Sequence, residues 1–66
     1  MQVSESALKR RINRKGRPLG WQVLKSRRTG DYYLYRFTTN GFGGFIELEE
    51  FGRELGVLDT NESLVS

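Results

Sequence analysis

The stretch "ALKRRINRKGRPLGW", Ala7 to Trp21, carries Lys9, Arg10, Arg11, Arg14, Lys15 and Arg17, and Lys25, Arg27 and Arg28 follow shortly after it. Glu5 is the only acid nearby. Side chains of this kind neutralise phosphates and release their counterions, so the segment suits a polyanion. Covalent chemistry is harder to assemble. The chain has no histidine and no cysteine, which removes the usual metal ligands, the usual proton shuttle and the thiolate nucleophile. Ser4, Ser6 and Ser26 have no histidine to activate them. Glu47, Glu49 and Glu50 belong to a first helical turn, where solvation leaves them without the burial that raises a carboxyl pKa for acid catalysis. "TNGFGGF" is rich in glycine but lacks the GxxxxGK[ST] pattern and the strand-to-helix setting of a phosphate loop. The sequence therefore leads us to expect no catalytic residue, no metal and no cofactor.

Three accounts compete for the basic segment. It can hold nucleic acid, meet an acidic protein surface, or be the solvated side of a helix, since Lys and Arg are good helix formers that keep a narrow apolar stripe soluble. One-sidedness favours the first. An ordinary amphipathic helix mixes signs in i,i+4 pairs, and this one barely does. The net charge of +3 also conceals a division: residues 1 to 36 carry ten Lys/Arg against Glu5 and Asp31, a net +8, while residues 37 to 66 carry Arg53 against six acids, a net −5. Such asymmetry fits an anionic partner or head-to-tail contact with a second copy.

The elements that must position these groups follow from pattern. Met1 to Val3 is expected to be loose, and Ser4 or Ser6 to cap a helix over about 5 to 15 with Leu8 and Ile12 on its buried face. Gly16 is expected to end that helix in the left-handed conformation, and Pro18 to block its continuation. Taking 100° per residue, Lys9, Arg10 and Arg14 lie away from the buried stripe, Arg11 and Lys15 flank it, and Arg17 extends the charge into the loop. "WQVLKSRR", residues 21 to 28, reads as a strand, "TGD" as a turn, and "DYYLYRFTT" as a second strand. Asn40-Gly41 signals a type I′ hairpin leading to a third strand, Phe42 to Ile46, in which Gly43-Gly44 weakens the strand or forms a bulge. Leu48, Phe51 and Leu55 share one face of a last helix, closed by Gly56.

The expected fold class is α+β, in the order α-β-β-β-α: a three-stranded antiparallel sheet with both helices packed on one face. The other face would be open. The candidate nucleic-acid contacts are Lys9, Arg10, Arg14, Lys15, Arg17, Lys25, Arg27 and Arg28, with Tyr32, Tyr35 or Phe45 available to stack on unpaired bases. Trp21 either closes the core beneath the first helix or anchors an interface, and Phe37 and Phe51 are expected in the core because so small a domain needs its rings for burial. The alternative function is a protein-interaction module, a homodimer or a phage-type accessory protein, that uses the open aromatic face.

"KRRINRKG", "DYYLY" and "IELEEFGRELGVL", with the spacing between them, resemble a group of small uncharacterised prokaryotic and phage proteins over residues 8 to 58. Similar sequences open on a basic "KRINRK" segment and end in a helix of the type "DLEALGRELGVL", which Glu47 to Leu58 follows. "FGGF", Phe42 to Phe45, departs from the bulkier residues usual in that strand. The resemblance implies this architecture and no particular activity.

Sixty-six residues make one small domain, which buries only about 60% of its unfolded surface. We expect that domain over residues 1 to 58 and a flexible tail over 59 to 66. No apolar run suits a bilayer or a secretory signal, so the expected location is cytoplasmic, with no membrane contact.

Overall fold

A computed structural model describes residues 1–65 of the chain. The protein is α+β, with two helices and a three-stranded antiparallel sheet. In chain order the elements are β1 (Gln2–Val3), α1 (Glu5–Gly16), a 3-10 turn (Arg17–Leu19), β2 (Trp21–Lys25), β3 (Tyr32–Arg36), β4 (Gly41–Ile46), α2 (Leu48–Glu54) and β5 (Ser63–Leu64). The main sheet runs β2-β3-β4, and β1 pairs in parallel with β5.

Ser4 caps α1: its hydroxyl accepts from the Ala7 amide at 3.1 Å, satisfying one of the helix's orphan donors. Leu8 and Ile12 are fully buried from this helix and Val23 from β2, and Val3, Leu48 and Leu58 complete the core. The helices meet where Leu8 lies over Gly52; a methyl added to Gly52 would come within 2.8 Å of Leu8 Cδ1. At the far end of α2, Gly56 has a φ of 75°, the Gly56 amide donates to Arg53 O and the Val57 amide to Gly52 O. This is the Schellman pair of bonds, and it turns the chain so that Leu58 enters the core.

Several expectations are corrected. Gly16 is right-handed helical, with φ −79° and ψ −35°, and the left-handed residue is Gly20. What Gly16 supplies is room, because a methyl there would sit 2.7 Å from Trp21 Cδ2. The first strand stops at Lys25 and the second covers only residues 32 to 36; Ser26 to Asp31 form a loop closed by Ser26 N to Asp31 O, at 2.7 Å. Only Asn40 adopts positive φ at the next turn, so the connection is a four-residue loop, Phe37 to Asn40, and no type I′ turn forms. Phe37 falls in that loop and is 44% exposed, outside the core.

The termini are the largest correction. Val3 is buried and residues 59 to 65 fold back over it: the Ser63 amide donates to Met1 O and the Val65 amide to Val3 O. Arg53 holds this segment by donating to Asp59 O at 2.9 Å and Glu62 O at 2.8 Å. The last residue of the expected tail, Ser66, lies outside the described residues. Among the described residues, no helix is long and apolar enough to cross a membrane.

Candidate nucleic-acid interface

The geometry of the basic groups starts from how α1 is attached to the sheet. Asn13, buried on α1, donates from Nδ2 to Val23 O at 3.1 Å and accepts from Val23 N at 2.6 Å. A single amide thereby satisfies both backbone groups that Val23, on the edge strand β2, turns away from β3. With the helix fixed along that edge, its cationic face borders a groove of about 780 Å³ lined by Lys9, Arg10 and Arg14 from α1, Arg17 from the 3-10 turn and Lys25 and Tyr32 from the strands. Glu5 lies at the same groove and, with Tyr32's partial burial as the larger cause, raises the Tyr32 pKa. Lys25 Nζ sits 5.7 Å from the centroid of the Tyr32 ring.

Two helix cations leave this face. Arg11 Nη1 donates to Glu62 Oε1 at 2.9 Å and to Val57 O at 3.1 Å. That bond, together with the Asp59 amide, holds the Glu62 carboxyl below its ordinary range, and the same pair raises the Arg11 pKa. Lys15, expected among the phosphate contacts, donates to Leu55 O at the C-terminal end of α2, 3.2 Å away, and does not line the groove. Lys9, Arg10, Arg14, Arg17, Lys25, Arg27 and Arg28 form no salt bridge among the described residues, where the ion pairs are Arg11–Glu62 and Arg53–Glu49.

The aromatic candidates separate. Trp21 packs against Gly16 and meets Phe51 edge-on, with ring centroids 5.7 Å apart, so it closes the core beneath α1. Tyr32 belongs to the groove, whereas Tyr35 is on the other side of the sheet, its hydroxyl bonded to Asn40 Oδ1. Phe45 has companions that sequence reasoning missed. Tyr33 and Phe42 lie 6.4 and 5.3 Å from it, centroid to centroid, and Phe42 and Phe45 are 62% and 65% exposed.

The bulge explains why Phe42 was missed. Tyr33 pairs with Phe45 and Tyr35 with Phe42, so Leu34 alone stands opposite Gly43 and Gly44. Simple alternation sends residues 42 and 45 to opposite faces; the extra residue brings them to one. Gly44, with φ of 99°, supplies the conformation that this requires. The Gly43-Gly44 pair was the available signal. Arg27 and Arg28 reach the same place from the loop after β2, where they, Lys25, Ser26, Tyr33, Phe42 and Phe45 line a hollow of about 490 Å³. Lys25 thus lines both groove and hollow.

No protein-family model, curated protein or solved structure matches this chain.

Proposed function

We propose that the protein is a non-enzymatic nucleic-acid-binding module that holds the phosphate backbone along α1 and the 3-10 turn. In this reading both helices cover one face of the sheet, leaving the cationic side of α1 and the loop after β2 as a continuous binding edge. The observation that carries it is the groove lined by five cations, Lys9, Arg10, Arg14, Arg17 and Lys25, with Glu5 as the one acid. Like charges gathered along one groove repel, and a line of phosphates relieves that repulsion while releasing counterions. Arg27 and Arg28 form a second station across Lys25. Lysine and arginine contacts to phosphate set position without selecting bases, so binding is broad in sequence.

The test is charge reversal. Arg10→Glu with Arg14→Glu should weaken binding to unrelated oligonucleotides by at least tenfold at low salt, with the circular-dichroism spectrum unchanged because both side chains are exposed. Unchanged affinity would dismiss the groove as the contact surface.

A further inference from the structure

The hollow beside the groove differs from it in kind. It combines three cations with three aromatic rings and no carboxylate. Phe42 and Phe45 meet at an interplanar angle of 73°, and Tyr33 stands at 77° to Phe45, edge-on contacts that leave Phe42 and Phe45 largely open to solvent. Two phenylalanines more than half exposed on so small a protein forfeit burial that the core could use. The bulge is what assembles them, since without the extra residue the two would part to opposite faces. A rim of Lys25, Arg27 and Arg28 with no opposing acid is complementary to an anion, and the flat apolar rings are complementary to a π-face. Unpaired nucleobases on a phosphate backbone offer both together.

We infer that Phe42 and Phe45 form a stacking platform for unpaired bases, making single-stranded nucleic acid the substrate class of this module. The inference rests on the phosphate-binding reading above and deepens it. The strand enters along the groove, crosses at Lys25, and lays its bases on the rings while Arg27 and Arg28 hold the phosphates beside them. Bases inside a duplex are already stacked and do not reach the platform.

The experiment titrates the full chain, by fluorescence anisotropy at low salt, into labelled single-stranded DNA and RNA of about twelve nucleotides, within the length that small sheet-based modules cover. A duplex of the same length serves as the control. Phe42→Ala with Phe45→Ala is compared with the parent, and Arg10→Glu with Arg14→Glu runs in parallel. We expect the parent to prefer the single strand. The double phenylalanine variant should lose between about fivefold and a hundredfold in single-strand affinity, as for loss of a stacked base, and keep its duplex affinity. The DNA and RNA arms report whether the sugar matters. Equal affinity for strand and duplex, or no loss on removing both rings, overturns the platform and leaves the phosphate reading intact. Loss in the arginine variant alone marks that outcome. Should the phenylalanine variant instead abolish self-association seen in sedimentation while nucleic-acid affinity holds, the face belongs to a second copy of this chain and the inference is likewise overturned. Phe42→Tyr with Phe45→Tyr, which keeps both π-faces, should restore single-strand binding and separates stacking from folding.

Discussion

Asn13 and Val23 are joined by two hydrogen bonds, Nδ2 to O at 3.1 Å and N to Oδ1 at 2.6 Å, so the side chain of a helix replaces the neighbour that an edge strand lacks. Both partners are buried. Replacing Asn13 by Ala leaves the Val23 amide and carbonyl without partners in the interior, at a cost of about 1–3 kcal/mol for each unsatisfied group. Urea unfolding should show a matching loss of stability. The same change loosens α1 from the sheet, so on the proposed reading phosphate affinity should fall without any charge being altered.

Gly16 and Trp21 make a second such joint. Gly16→Ala inserts a methyl into the indole, and overpacking of this kind costs about 1–3 kcal/mol. Tryptophan fluorescence should shift to the red as the ring is displaced toward water, since Trp21 is the chain's only tryptophan.

The Arg11–Glu62 pair predicts an acid-sensitive step in stability. The Glu62 carboxyl is held below its ordinary value of 4.5 by Arg11 and the Asp59 amide, so its contribution is fully present above the unfolded value. It disappears as pH falls through the lowered folded value. Glu62→Gln should reduce stability at neutral pH and flatten the dependence as pH falls below the ordinary carboxyl range. Identical pH profiles for parent and variant would show that the pair contributes nothing.

Much of this fold was legible in the chain, and the parts that were not share a cause. Ser4, Leu8 and Ile12 announce α1, Leu48, Phe51 and Leu55 announce α2, and Gly43-Gly44 announces a weakened or bulged strand, all through neighbours within a few residues. The terminal β1–β5 pair and the Arg11–Glu62 contact join residues 51 or more positions apart, and two-residue strands carry no period to read. Gly16 was misjudged because a close approach and a left-handed turn both ask for glycine, and only the position of Trp21 separates them. In the candidate site, the places of Lys9, Arg10 and Arg14 were readable from helical angle, whereas Lys15 is drawn to the end of α2. Phe42 was hidden because a bulge reverses side-chain parity beyond it.

On the proposed reading, that parity makes the bulge matter for binding. Gly44→Val forces a β-branched residue into φ of 99°, a strained conformation for an L side chain. If the strand relieves the strain by losing the extra residue, Phe42 and Phe45 separate, and nuclear Overhauser contacts between their rings should vanish along with the preference for single strands.

Removal of charge has a quantitative signature. On the proposed reading, Arg10→Gln with Arg14→Gln removes two phosphate contacts, and the slope of log affinity against log salt on a single strand should fall by about 1.4, at roughly 0.7 for each contact. An unchanged slope would mean that neither guanidinium meets phosphate.

The most direct measurement is a titration of isotopically labelled protein with a single-stranded oligonucleotide, followed residue by residue by NMR. We predict that the shifted amides and side chains cluster at Lys9, Arg10, Arg14, Arg17, Lys25, Arg27 and Arg28 and continue onto Phe42 and Phe45, while α2 and β5 stay still. A spectrum that does not move at millimolar oligonucleotide, or that moves only around Glu47–Glu54, would contradict the account.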